Sequence, residues 1–209
     1  MNTNESNKKS YNAPLIYAIC GVLLLVIAVA GSAYAYFTAS ANANNSISGS
    51  TLDVSLGVTA TRVSKGTGKL IPIYDGTVSG HASQLSTAAT STNDCVDKNG
   101  NTVCQIYEIT ITNTGTDATT VDTTLALTGS TNLKWANMTN RTTVGTTHVK
   151  TDTSVATGIS LSGSGTVKQY IMVYINNTGA NQTTDDGNKT FTGSVTVTAS
   201  TGAQVEATF

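Results

Sequence analysis

Cys95 and Cys104 are the first residues to weigh for chemistry. Between them lies Val-Asp-Lys-Asn-Gly-Asn-Thr-Val, and Asn99-Gly100 is a strong hairpin dipeptide because both residues tolerate positive φ. A hairpin there brings the two sulfurs within disulfide range. Closing so short a loop contributes about 2–3 kcal/mol in the chain-entropy account. A thiol redox motif is excluded, since the spacing is C-x8-C rather than C-x-x-C. The third cysteine, Cys20, sits in an apolar stretch near the N-terminus.

Other reactive residue types are sparse. The two histidines, His81 and His148, are far apart in sequence, and neither belongs to H-E-x-x-H. Both read as surface histidines. No His, Cys and carboxylate cluster has metal-ligand spacing. A Gly-x-Ser-x-Gly elbow and a Gly-x-x-x-x-Gly-Lys phosphate loop are both missing. Asp97, Asn99 and Asn101 with Glu108 imitate positions 1, 3, 5 and 12 of a calcium loop, but the glycine falls at 4 where the loop needs it at 6. A hairpin turn is the preferred reading of residues 97–108. Asp185-Asp186-Gly187-Asn188 reads as a solvated turn, with weak calcium binding as the alternative. Asn-x-Ser/Thr sequons at Asn137, Asn140, Asn181 and Asn188 arise easily in a Thr-rich chain, and matter only in a glycosylating host. No catalytic, metal or cofactor residue is assigned, and no enzyme is expected.

Chemistry done on the chain itself is expected at the N-terminus. Lys8 and Lys9 precede a run from Leu15 to Ala30 that is apolar apart from Gly21, followed by Gly31-Ser32-Ala33-Tyr34-Ala35. This is the order of an export signal: basic, apolar, then small-x-small. Ala33 and Ala35 frame cleavage before Tyr36, which leaves residues 36–209. The alternative is an uncleaved anchor through residues 15–30, at the short limit for crossing a bilayer. A pilin-type processing site is disfavoured, because Asn12-Ala13-Pro14-Leu15 offers neither a cut before the apolar run nor a glutamate just inside it. An exported chain also suits an even pair of remaining cysteines.

The elements beyond Tyr36 must be strands. The chain has 39 Thr, 20 Ser and 18 Asn among 209 residues. Threonine at that level favours pleated structure, because β-branching restricts χ1 in a helix. Charged residues are 11%, and 11 basic against 12 acidic residues give a net charge of −1. That balance supplies no basic surface for nucleic acid and no charge-driven disorder. Clean alternation marks 51–62 (Leu52, Val54, Leu56, Val58, Ala60), 104–113 (Tyr107, Ile109, Ile111), 119–128 (Val121, Leu125, Leu127), 191–199 (Phe191, Val195, Val197) and 203–209. Val167–Asn176 is apolar on both faces and belongs centrally in a sheet. Leu133–Met138 carries the only tryptophan, Trp135, as a core plug. Residues 63–94 read as a long loop with small strands, and 139–158 as polar with one weak run over 144–149. The expectation is an all-β, jelly-roll-like sandwich of about seven or eight strands over residues 51–209, preceded by the hydrophobic signal or anchor helix of 1–35 and an extended segment, 36–50.

That extended segment alternates weakly, with Phe37, Ala39, Ala41, Ala43 and Ile47 on one face. It is either a spacer or a strand. Gly31-Ser32-Ala33-Tyr34-Ala35-Tyr36-Phe37, then Ser50-Thr51-Leu52-Asp53-Val54, and later Ile111-Thr112-Asn113-Thr114-Gly115 resemble the TasA/camelysin family. That family shows a small-residue cleavage site, an aromatic pair, a polar stretch, a "GTLDL" segment and an "xNxG" turn after a core strand. The resemblance implies export through the dedicated signal peptidase SipW, a jelly-roll domain and, for TasA-like members, fibres of the biofilm matrix. This chain is far less charged than TasA and adds the Cys95/Cys104 pair. Camelysin's metallopeptidase description has no zinc motif here to support it.

The function expected from sequence is therefore a secreted structural protein of the cell surface or matrix. Its copies would join when residues 37–47 of one chain add as a strand to an open sheet edge of the next. Such head-to-tail addition is heterologous and gives an open filament. The alternative is a surface adhesin or carbohydrate-binding module, which requires an exposed aromatic platform from Tyr170, Tyr174 or Trp135. A metal-dependent enzyme would require His81 and His148 to converge.

Overall fold

Nine strands form two antiparallel sheets in the computed structural model, which describes residues 52–181, 186 and 190–209. The strands are β1 (Leu56–Arg62), β2 (Cys104–Asn113), β3 (Thr119–Thr128), β4 (Leu133–Asn140), β5 (Thr143–Val149), β6 (Ser154–Leu161), β7 (Thr166–Ile175), β8 (Thr192–Ala199) and β9 (Gln204–Thr208). One short helix, α1 (Leu85–Ala88), lies between β1 and β2. Leu52–Phe209 is one compact unit. The signal, its cleavage residues Ala33, Ala35 and Tyr36, the apolar run 15–30, and the strand residues Phe37, Ala39, Ala41, Ala43 and Ile47 all lie outside the described residues.

The sheets run β1-β2-β7-β4-β5 and β6-β3-β8-β9. Odd-numbered side chains of β2, β4 and β7 point between the sheets: Tyr107, Ile109, Ile111, Leu133, Trp135, Ile171, Val173 and Ile175. They meet Val121, Leu125 and Leu127 of β3 and Val195, Val197 and Ala199 of β8. Both sheets follow the period-2 rule that puts alternate side chains on one face. In β3 the alternation is complete, buried and exposed in turn along all ten residues.

The pairing order differs from the expected jelly roll. β2 and β3 pair with β7 and β8 in that same order, first with first and second with second. This is the interlock of immunoglobulin-type sandwiches, in which strand B neighbours E and strand C neighbours F. A jelly roll wraps one long hairpin, so the partners come in reverse order.

β7 occupies the middle of the five-stranded sheet, and its two apolar faces have different partners. Its even side chains, Met172 and Tyr174, join Cys104, Ile106, Ala136 and Met138 in a second core on the outer face. That core is closed by Ile73, Leu85, Ala88, Ala89, Cys95 and Val103, all from the excursion between β1 and β2. The excursion is thus a cover, where a loop with small strands is expected from sequence. Its only ladder contacts are the isolated bridges Ile73↔Asn176 and Val96↔Thr102.

Nine strands stand where seven or eight are expected: β5 forms from the weak run over 144–149, β6 from residues read as polar, and both carry register shifts. On β6, Ala156 faces Thr123 and Ile159 faces Val121, so three steps oppose two. The extra residue sits beside Gly158, at φ +64, whose N–H donates to Asp122 Oδ1 at 2.7 Å. An extra residue moves the following side chains to the opposite face. β5 carries a similar shift between Thr147 and Val144. At the other end of the chain's order, β1 starts only at Leu56, and Leu52 is exposed rather than inward-facing.

Candidate functional site

The disulfide forms as expected, joining Cys95 to Cys104 with Cα atoms 4.8 Å apart. The turn that permits it differs in detail. Gly100 alone takes positive φ, at +82, and Asn99 does not. Gly100 N–H donates to Asp97 O at 3.0 Å, and Asp97 N–H donates to Asn101 O at 2.9 Å. This is the three-residue hairpin loop, a turn closed by a left-handed glycine. Asp97 Oδ1 accepts from the Asn99 and Asn101 amides at 2.8 Å each, and Oδ2 from Asn101 Nδ2 at 3.0 Å. Those donors, Asn101 first, hold the Asp97 carboxyl below its ordinary value. The carboxylate serves the turn, and Glu108 is engaged elsewhere, so residues 97–108 do not assemble as a calcium loop. Of the second candidate, Asp186 alone is described. It accepts from Ser130 Oγ at 2.5 Å and Asn132 Nδ2 at 2.8 Å.

Two ion pairs, each with its carboxylate buried, pin the cover to the sheet. Lys134 Nζ lies 2.7 Å from Asp75 Oδ2, with the Asp75 side chain fully buried. Tyr174, the register partner of Lys134, donates its hydroxyl to the same oxygen at 3.3 Å. Burial pushes the Asp75 carboxyl up, but Lys134 and the two Thr77 donors outweigh it and hold it below its ordinary value. Burial, with Asp75 beside it, drives the Tyr174 hydroxyl strongly upward. The second pair is Arg141 with Asp94 at 2.5 Å, and Arg141 also donates to Val63 O at 2.8 Å. Farther along the outer face, Glu108 accepts from Lys168 and Tyr170, each at 2.7 Å. Lys168 first, then Tyr170, lowers the Glu108 carboxyl, and Glu108 raises both partners in return.

Between the Ile71–Tyr74 segment, α1 and the disulfide hairpin lies an open cleft of about 710 Å³. Its floor is Ile73, Ala88 and Val103, and its most prominent wall is Tyr74 stacked on His81. The ring centroids are 4.1 Å apart and the planes 7° from parallel. Tyr74 is positioned by ladder-like bonds on both sides: Ile73 N–H to Ile175 O and Gln84 N–H to Tyr74 O, each 2.9 Å. No periodic signal in sequence marks these residues, because the cleft is built from loop backbone.

The aromatic platform expected for an adhesin is not where sequence put it. Trp135 and Tyr174 are fully buried, and Tyr170 is half-buried against Glu108. The histidines do not converge. His81 stands in the cover on the outer face, whereas His148 stacks on Trp135 toward the sandwich interior, with centroids 4.2 Å apart. His148 is therefore half-buried, a correction to its reading as a surface residue, with Nδ1 3.7 Å from Asp152 Oδ2. Among the described residues no group of three His, Cys, Asp or Glu side chains could hold a metal, and no helix is long and apolar enough to cross a membrane.

Of the segments on which the family resemblance rests, residues 52–54 and 111–115 are described, and they meet; residues 31–37, 50 and 51 lie outside the described residues. Asp53 N–H donates to Asp117 Oδ2 at 2.8 Å, and Asp53 Oδ2 accepts from Thr116 N–H at 3.3 Å. Asn113, buried at the turn, accepts from Ser55 and Gly115 N–H and donates to Asp117 O and Ser162 O. Gly115 lies so close to Asp53 O that any Cβ there would collide with it. Residues 52–55 are thus anchored on the Asn-Thr-Gly turn between β2 and β3.

Comparison with known proteins yields no family. No family profile matches the chain, and no curated protein matches it. Among solved structures, a FixG-related protein from Vibrio parahaemolyticus is 12% identical, with a TM-score of 0.36, covering 74% of this chain and 92% of that one. A family 123 glycoside hydrolase from Clostridium perfringens is 11% identical with a TM-score of 0.31 over 74% of this chain, which spans 27% of the hydrolase. The alkylpurine DNA glycosylase AlkC of Pseudomonas fluorescens is 10% identical with a TM-score of 0.28, over 77% of this chain and 31% of that one. Likenesses this loose carry no argument. The described residues form an all-β, two-sheet sandwich with a Cys95–Cys104 disulfide.

Proposed function

We propose that this chain is an exported structural subunit of the cell surface or extracellular matrix, similar to TasA-like fibre proteins, and that its copies join by strand addition. The observation that carries the reading is a pair of sheet edges that, among the described residues, have a ladder partner on one side only. β1 and β9 are edge strands of opposite sheets, and they lie alongside each other. Half-buried Leu56, Val58, Val205 and Phe209 line that flank against the core. An edge of this kind offers unpaired N–H and C=O groups together with apolar contact, which is what an added strand uses. The occupant is residues 37–47 of a neighbouring copy, with Phe37, Ala39, Ala41, Ala43 and Ile47 turned inward. Fused to an uncleaved signal, the same segment is tethered at the membrane, so assembly follows cleavage before Tyr36 by a dedicated signal peptidase.

Intact mass and electron microscopy of the native protein test this together. The expected result is a mass beginning at Tyr36 with filaments present. A chain lacking residues 36–47 should remain a folded monomer without filaments, and normal filaments from that deletion would overturn strand addition. A mass retaining Leu15–Ala30, with no filaments, would instead mean an anchored surface domain.

A further inference from the structure

The cleft in the cover shares no lining residue with the β1/β9 flank proposed for assembly, and it has the composition of a small-ligand site. Its volume of about 710 Å³ lies within the ordinary range for such sites. One wall is the Tyr74–His81 stack, with His81 exposed. Around it stand groups that make no hydrogen bond within the described chain: the His81 ring nitrogens, Thr87 Oγ1, the Gln84 amide NH2 and Lys98 Nζ. Asn93 lines the same space, and of its side-chain polar atoms Nδ2 is engaged, on Thr87 O at 2.9 Å, while Oδ1 is not. Asp97, the only carboxylate lining the cleft, has its oxygens occupied by amides of its own turn. The cleft therefore combines one flat ring surface, an apolar floor, neutral hydroxyl and amide groups, and little unspent charge.

The geometry points to a binding site for a neutral oligosaccharide, seated on the Tyr74–His81 stack. A sugar ring presents an apolar C–H face and a rim of hydroxyls, each both donor and acceptor. The ring surface takes the first, and Gln84, Thr87 and Asn93 take the second. An anionic ligand is disfavoured because Lys98 is the only full cation lining the cleft and the neighbouring Asp97 carboxylate offsets its charge. A purely apolar ligand is disfavoured because it would strand those amides and hydroxyls without partners. The floor is rigid, since the disulfide, the Asp75–Lys134 pair and the Asp94–Arg141 pair hold the cover down. A preorganised site loses less freedom on binding.

The test is a two-dimensional amide NMR titration of the full exported chain with cellobiose and N,N′-diacetylchitobiose, and with digalacturonate as the charged arm. The site predicts saturable shifts from a neutral disaccharide, confined to residues 71–103. Tyr74→Phe should retain binding, whereas Tyr74→Ala should weaken it by about tenfold or more. His81→Ala, at an exposed position whose loss leaves the core untouched, should also weaken binding while the remaining spectrum stays unchanged. Response to digalacturonate alone, shifts centred outside 71–103, no saturable shift with either neutral sugar, or undiminished binding by His81→Ala would each overturn the assignment.

Discussion

Asp75 is a buried carboxylate that accepts from Lys134, Thr77 and Tyr174, so its removal leaves the half-buried Lys134 ammonium without its counter-charge. Breaking such a pair by deleting one partner costs about 3–5 kcal/mol. Asp75→Ala should lose stability on that scale in urea denaturation, and a loss below about 1 kcal/mol would mean the pair is solvated. The pH dependence has a definite sign. The folded-state value is below the ordinary 3.8, so the carboxylate's contribution is complete above that value and disappears as pH falls through the lower, folded one. Stability of Asp75→Asn should therefore fall less steeply on acidification than that of the parent, and equal slopes would refute the linkage. Asp97 and Glu108 are lowered too, so some acid sensitivity should persist in the variant. Thr123 makes the opposite prediction. It is fully buried in β3, and its Oγ1 has no partner. Thr123→Val replaces an unsatisfied hydroxyl with a methyl group of similar shape and should stabilise by about 1 kcal/mol, read as a higher urea midpoint.

Elements show where sequence periodicity fails. β3 and β8 are legible because each alternates without interruption and faces one core, and β2 is legible through Tyr107, Ile109 and Ile111 although Cys104 and Ile106 face the second core. β6 is hidden because exposed Thr157 and Gly158 interrupt the inward set Val155, Ile159 and Leu161 just where its register with β3 shifts. β7 is legible as central but not as two-cored, since only the folded chain shows which segment covers its outer face. That cover depends on its staple. Removing the disulfide as the Cys95→Ser/Cys104→Ser pair should cost about 2–3 kcal/mol. In hydrogen exchange the loss should appear first over 63–103, ahead of β3 and β8. Uniform acceleration across both sheets would mean that cover and sandwich are one cooperative unit. Gly115→Ala should act locally in another place. Its Cβ displaces Asp53 O, so Ser55 and Asp117 amides should exchange faster while the core is unchanged.

At the scale of the whole molecule, the assembly proposal turns on which edge accepts a strand. Gly193 and Phe209 exchange both of their backbone bonds, at 3.0 and 2.9 Å. The ladder therefore points the N–H groups of residues 204, 206 and 208 away from β8. Glu206→Pro deletes one outward donor at an exposed position, which an edge strand tolerates. The monomer should stay folded, as judged by its urea midpoint, and filament growth should fail if β9 is the acceptor. Ala60→Pro asks the same of β1. Unimpaired filaments from both variants would sink strand addition on this flank.

What sequence alone determines here is local: all-β class, the positions of the cleanly alternating strands, the cysteine pair, and an expected export segment. Each follows from periodicity or spacing within about ten residues, the range over which a strand or a hairpin is specified. Tertiary structure decides what depends on distant residues meeting. The interlocked pairing of β2 and β3 with β7 and β8 joins segments some sixty residues apart in the chain, for example Glu108 with Tyr170. The burial of Tyr174 and the exposure of His81 on Tyr74 follow from which loop covers which face, and the burial of Trp135 from the packing of one sheet on the other. A Thr-rich chain with little charge has many near-equivalent ways to cover a sheet, and only the sum of packing contacts selects one.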